Sequence, residues 1–232
     1  DYGMNKDFLS DLVLYHSFEN KLVSLKEYVE HMKEGQKYIY YVCGETVDRA
    51  VKLPQTERVR EQGYDILCMT DDVDEFAVRM LGAFQEKTFK SVSDADLELT
   101  SDEEKHAAEE AQKTHKDLLE ALKAALGDRV KDVRLSDRLK SSPVCLTSGG
   151  PLSIEMEKVL SAMPVSDGSI KAERVLEINP SHPVFAALSE LPVGDERLAR
   201  YADLLYNQAL LIEGLPIEDP VAFSNEICEL MR

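Results

Sequence analysis

The 232 residues carry 44 acidic against 27 basic side chains, a net charge of −17, with 44% hydrophobic residues. That length suits one large or two small domains, either with a real core, and so acidic a surface repels nucleic acid and anionic lipid, which leaves both out as partners. No stretch approaches the ~20 apolar residues of a membrane span, no signal peptide heads the chain, and the absence of an initiating Met makes the sequence read as a fragment of something longer.

Residues 7–34 read as helical. Phe8, Leu9, Leu12, Val13 and Tyr15 open one segment. Ser24, with Glu27 three residues on, forms a capping box leading into Tyr28, Val29 and Met32, and Gly35 is the stop. The period then changes. Residues 38–43 are a short continuous apolar run, the mark of a buried parallel strand. A helical stretch over 46–62 interrupted at Pro54, a buried strand over 65–69, a helix over 71–81 and a strand over 87–93 complete a small α/β unit. Residues 94–110 are acidic and polar and mark the domain boundary; they pass into a helix that runs to Leu126 and stops at Gly127.

Beyond that point the pattern is α+β. Strands are expected over 130–135, 144–147 and 175–178, the last before the Asn179-Pro180 turn, and Pro183 opens a short helix through Phe185 and Leu188. Between the second and third strands, Leu152, Met156, Val159, Leu160 and Met163 fall on one helical stripe. Gly149-Gly150-Pro151 precedes it, and Pro164 with Ser166, Asp167, Gly168 and Ser169 follows. Such a helix either faces a core or, because methionine adapts its shape, offers a face to varied apolar partners.

The last element is a helix pair. Leu198, Tyr201, Leu205, Ala209 and Ile212 make one stripe over 195–213, which Leu204 and Leu211 widen. Gly214 sits where a left-handed cap belongs and Pro216 follows. Asp219-Pro220 opens a second helix with Phe223, Ile227 and Leu230 in line and Met231 beside them. This much apolar surface is buried either on its own domain or against the same pair of a second chain, as a dimeric four-helix bundle. The expected fold class is thus α/β plus α+β: a helical lead-in over 1–36, a strand–helix–strand α/β unit over 37–98, and an α+β domain over 99–232 ending in the helix pair.

Chemistry is sparse. Cys43, Cys68, Cys145 and Cys228 sit singly in apolar runs and read as reduced core residues, which points to the cytoplasm. The five histidines have no metal-ligand spacing. No glycine-rich phosphate cradle or nucleophile elbow is present. One constellation carries an alternative function: Glu45 after the first strand, and Asp72 and Asp74 after the second, stand at the strand ends of a parallel sheet. Three carboxylates there could hold Mg²⁺ for phosphoryl transfer, a layout similar to topoisomerase-primase nuclease domains. Acids in the first turn of a helix also simply suit its dipole.

The pieces together resemble the 90-kDa heat-shock protein chaperone family in its bacterial HtpG type. The matches are Val23-Ser24-Leu25-Lys26-Glu27-Tyr28, Met32-Lys33-Glu34-Gly35-Gln36-Lys37 with Ile39-Tyr40-Tyr41, and Met69-Thr70-Asp71 through Asp74-Glu75-Phe76. Further on stand residues 130–139 with Ser142-Pro143, then Leu176-Glu177-Ile178-Asn179-Pro180-Ser181-His182, residues 204–211 and Glu218-Asp219-Pro220. The resemblance implies that residues 1–98 are the end of the family's middle domain and 99–232 its C-terminal dimerisation domain. It implies a stress-response chaperone that works as a homodimer on non-native client proteins. Client contacts would come from Phe76, in place of a tryptophan or tyrosine, and from Leu152, Met156, Val159, Leu160 and Met163. It further implies that this fragment is no enzyme and holds no cofactor, the ATP and Mg²⁺ of the parent binding upstream of residue 1. The ending at Arg232, without an acidic tail, suits a bacterial member.

Overall fold

A strand can be apolar at every position only if both faces of its sheet are covered, and residues 39–43 form such a strand. The computed structural model describes residues 5–164 and 170–231. Its elements begin with α1 (Lys6–Ser10), β1 (Leu14–His16), β2 (Leu22–Ser24), α2 (Leu25–Glu30), β3 (Ile39–Cys43), α3 (Val47–Ala50), α4 (Glu57–Glu61), β4 (Leu67–Met69), α5 (Asp74–Leu81), β5 (Ala83–Phe84) and β6 (Lys87–Ser91). They continue as α6 (Asp102–Thr114), α7 (Lys116–Leu126), β7 (Asp132–Leu135), β8 (Val144–Ser148), α8 (Ile154–Ala162), β9 (Arg174–Ile178), α9 (Pro183–Ser189), α10 (Glu196–Glu213) and α11 (Pro220–Leu230). The fold is mixed α and β. It packs as two units, one of Asp1–Leu99 with Pro151–Ala172, the other of Thr100–Gly150 with Glu173–Arg232. Residues 151–172, which the sequence reading assigned to the second domain, thus group with the first unit.

In the first unit six strands run in the order β2-β1-β4-β3-β6-β5. β3 is parallel to β4 and to β6, whereas β1 joins β4 and β5 joins β6 antiparallel. Side chains alternate across the sheet. Ile39, Tyr41, Leu67 and Met69 enter one core with Tyr28, Val78 and Phe84. Tyr40, Val42, Ile66 and Cys68 enter the other with Ala50, Val59 and Val92. The Tyr28 hydroxyl spans the gap between these elements. It donates to the Asp65 carbonyl at 2.6 Å and accepts from Gln36 Nε2 at 3.0 Å and the Tyr40 amide at 3.2 Å. Burial pushes its pKa up, and the bonds it accepts from the Tyr40 amide and Gln36 only partly offset that.

Residues 7–34 are not one helical region. The capping box forms as expected: the Glu27 amide donates to Ser24 Oγ at 3.2 Å and the Ser24 amide to Glu27 Oε2 at 2.8 Å. Ahead of it, however, β1 and β2 make a hairpin, with Tyr15 paired to Val23. Asn20 supplies the turn at φ 59°, a conformation asparagine tolerates. Along β1, exposed Leu14, buried Tyr15 and half-buried His16 alternate as a strand requires. The β5–β6 hairpin was also not read from the sequence. Gln85 and Glu86 both have positive φ, 46° and 64°, where Asn-Gly is preferred. Replacing them, Gln85→Asn with Glu86→Gly, is expected to stabilise the first unit by about 0.5–1 kcal/mol. A urea midpoint that falls would show the turn to be held by something other than its backbone preference.

The second unit places α7 and α10 against a three-stranded sheet of order β7-β9-β8. β7 is parallel and β8 antiparallel to β9. Leu118, Leu119, Leu122 and Leu126 of α7 are buried, as are Leu198, Ala202, Leu205, Ala209 and Leu210 of α10. Gly214 closes α10 in the left-handed region at φ 72°. Asp219 caps α11, accepting from the Val221 and Ala222 amides at 3.1 and 2.9 Å. The helix expected to run on from the acidic stretch is two helices, α6 and α7, broken at His115. The His115 ring packs edge-on to Phe185, with centroids 4.9 Å apart.

Candidate contact site on α5 and α8

Parallel strands present their carboxyl ends on one edge, and the turn after β4 builds the site there. Asp74 closes that turn, its Oδ2 accepting from the Thr70 and Asp71 amides at 3.1 and 3.0 Å. Burial raises its pKa, and the two backbone bonds only partly offset that. One residue on, Glu75 points into the protein and is 3% exposed. Its Oε1 accepts from the Tyr41 hydroxyl at 3.2 Å and from Arg79 Nε and Nη2 at 3.1 and 2.9 Å. Its Oε2 accepts from Ser153 Oγ at 2.5 Å, with Cys43 Sγ at 4.0 Å. A buried carboxylate is tolerated only when so surrounded. The facing Cys43 thiol has its pKa pushed well up, first by burial and then by the Glu75 charge.

These bonds seat α8. Ser153 is its N-cap, accepting from the Met156 amide at 3.0 Å while donating to Glu75. Arg79 Nη1 donates to the Pro151 carbonyl at 3.1 Å. At the other side of the segment Glu157 accepts from the Ala172 amide at 2.9 Å. Along α8 only Ile154 and Glu157 are buried. Leu152, Met156, Val159 and Leu160 are half-buried and Met163 is exposed. Phe76 on α5 is half-buried too, and exposed Val73 and Met80 lie three residues before and four after it, on the same helical face. The joint expected at Ser166, Asp167, Gly168 and Ser169 lies outside the described residues.

The carboxylate triad of the alternative function does not assemble. Glu45, just ahead of α3, pairs with Arg49 on that helix, Asp74 is occupied by backbone amides, and Asp72 is exposed. Among the described residues no group of His, Cys, Asp or Glu could hold a metal ion. The acid that does matter at this edge, Glu75, was missed. It sat in a run of first-turn acids, and the one clue was Arg79 four residues on.

The expected dimer residues divide. Leu198, Leu205, Ala209 and Phe223 are buried inside their own unit, since α10 packs on α7 and β8 and α11 packs on α10. Tyr201, Ile212 and Ile227 are half-buried and Leu230 is exposed. They stand with Leu211, Val221 and Met231, large apolar side chains left in solvent. Arg200 ties the two helices together through Glu226, at 3.9 Å, and Glu229.

Comparison with known proteins gives a consistent result. The Hsp90 protein family matches residues 1–232. The chain is 57% identical over 233 residues to the chaperone protein HtpG of Bacillus subtilis, 56% over 233 residues to that of Shouchella clausii and 54% over 234 residues to that of Clostridium botulinum. In each case all of this chain is covered, and it spans 37% of the relative's length. Two expectations are corrected by these matches. The sequence reading held that this fragment is no enzyme and that ATP and Mg²⁺ belong only to a site upstream of residue 1. The family match runs through the chain from end to end, so the family's nucleotide and metal are not assigned away from it, and neither exclusion stands. No helix among the described residues is long and apolar enough to cross a membrane.

Proposed function

The chain belongs to the Hsp90 family, and from that premise we propose that it is the client-contact and self-association portion of an HtpG-type chaperone. Residues 1–98 correspond, on this reading, to the end of the middle domain and 99–232 to the dimerisation domain of an ATP-dependent cytoplasmic protein. Non-native polypeptides bind to the α5 and α8 surface, and the free faces of α10 and α11 pair across a two-fold axis as a four-helix bundle. The observation that carries the reading is the unconsumed apolar surface of α8: five side chains of its stripe remain half-buried or exposed, two of them methionines. A soluble chain leaves such patches where something docks, and methionine repacks around different partners.

Affinity from such a shallow surface is weak and spread over several side chains. Met156→Ser combined with Leu160→Ser is expected to weaken binding of a partly unfolded client by roughly tenfold, about 1.4 kcal/mol. The melting temperature of the first unit should hardly move, because both side chains are half-exposed already. Phe76→Ala should weaken the same client. Fluorescence anisotropy with a labelled, permanently unfolded protein measures this, and an affinity unchanged in both variants removes the client-contact reading.

A further inference from the structure

α8 makes little use of its apolar side for attachment, as only Ile154 of its apolar residues is buried. Its ties are polar: Glu157 accepts from the Ala172 amide at 2.9 Å on one side, and two further bonds lie just ahead of the helix. Ser153 Oγ bonds the buried Glu75 carboxylate at 2.5 Å, and the Pro151 carbonyl takes Arg79 Nη1 at 3.1 Å. The same Glu75 is braced from β3 by Tyr41 and along α5 by Arg79, so it is held on the α5 and sheet side independently of its bond to Ser153. We infer that Glu75, acting through Ser153, is the positioning residue of the client-contact surface: it holds α8 at a fixed place beside Phe76, so that the two helices present one preformed apolar patch. This rests on the client-contact reading above. A preformed patch binds more tightly than a helix that must be ordered by its ligand, so loosening the tie costs affinity without removing any side chain that touches the client.

The chemistry of the pair supplies a specific test. Ser153 both accepts from the Met156 amide and donates to Glu75. Ser153→Asp keeps the helix cap, since aspartate is an equally good N-cap, but sets a second carboxylate against Glu75, which repels it. Glu75→Gln then offers an amide N–H to that new carboxylate and removes the repulsion. In hydrogen–deuterium exchange on the whole chain, Ser153→Asp should raise exchange of the α8 amides at least tenfold while those of β3 and β4 stay protected. Client affinity should fall about three- to tenfold, and Ser153→Asp with Glu75→Gln should recover both. A merely structural defect would not be rescued by the second change.

The wild-type protein gives the variant-free arm. The α8 amides should exchange through a local opening that is independent of low urea, ahead of the sheet; exchange that tracks global unfolding overturns the proposal. So does α8 protection unchanged by Ser153→Asp, or a client affinity that rises on release, which would make the tie a lock. If α8 loosens and is rescued while client affinity stays constant throughout, the positioning of α8 by Glu75 stands and the client-contact reading fails.

Discussion

Removing the Glu177 carboxylate is expected to cost the second unit about 3–5 kcal/mol, the usual consequence of stripping one partner from a buried ion pair. Glu177 lies mid-strand in β9 and is 0% exposed, as is the Arg138 it bonds. Its Oε2 accepts from Arg138 Nε at 3.0 Å and Ser136 Oγ at 2.7 Å, and its Oε1 from Arg134 Nη2 at 2.6 Å and Thr147 Oγ1 at 3.0 Å. Four donors from β7, β8 and the turn after β7 thus converge on one carboxylate of the central strand. Glu177→Ala leaves Arg138 without its carboxylate in a dry interior, whereas Glu177→Gln keeps acceptors and should cost less. Against a typical domain stability of about 5–15 kcal/mol, the alanine variant should unfold at a markedly lower urea concentration. A loss under about 1 kcal/mol would mean water enters the site.

The same group fixes a pH dependence. Burial alone would raise the Glu177 pKa, but Arg138 and Arg134 outweigh it and the net shift is downward. A carboxylate whose folded pKa is depressed contributes stability that is present above its unfolded value, near 4.5, and that is lost as pH falls through the folded value. The stability gap between wild type and Glu177→Gln should therefore shrink below that unfolded value. A gap that stays constant into strong acid would show the carboxylate is not what the arginines hold.

Burial was legible in this sequence wherever it produced a period, and illegible where one polar residue was buried inside an apolar run. The continuous runs at 38–43 and 65–69 became β3 and β4, and both caps of the α10–α11 turn formed where Gly214 and Asp219 stand. Glu177, flanked by Leu176 and Ile178, carried no sign that it would face four donors. Glu75 looked like one more acid at a helix start. The hairpin of β1 and β2 was hidden because Leu12, Val13, Leu14 and Tyr15 are apolar in succession, which suits a helix as well as a strand; only Asn20 marked the turn. For α10 the period located a buried stripe but could not say which burial was internal. Leu198, Leu205 and Ala209 are buried in their own unit, where α10 packs on α7 and β8, so three residues of that stripe are already covered while Tyr201 and Ile212 stay half-buried.

That division changes which substitutions should separate a dimer. Leu205 is 5% exposed inside its own unit, and Leu205→Asp should unfold the unit, giving no information about association. The informative positions are those left over: Leu211 at 52% exposure and Leu230 at 54%, with half-buried Ile227. In a two-fold interface every substitution appears twice. Fully burying an exposed side chain of this size stabilises by about 1.5–3 kcal/mol; Ile227 is half-buried within its own unit already, so Ile227→Asp removes roughly 1.5–3 kcal/mol per dimer before any charge repulsion between the two copies is added. That is a rise of about 10–10² in the dissociation constant. Leu211→Asp should act in the same direction, and the two together should give a monomer at micromolar protein with its circular dichroism intact, because neither side chain supports the core of its own unit. Sedimentation equilibrium reads the mass directly. A dimer that survives both changes would move the interface away from α10 and α11 and leave their exposed leucines without a partner.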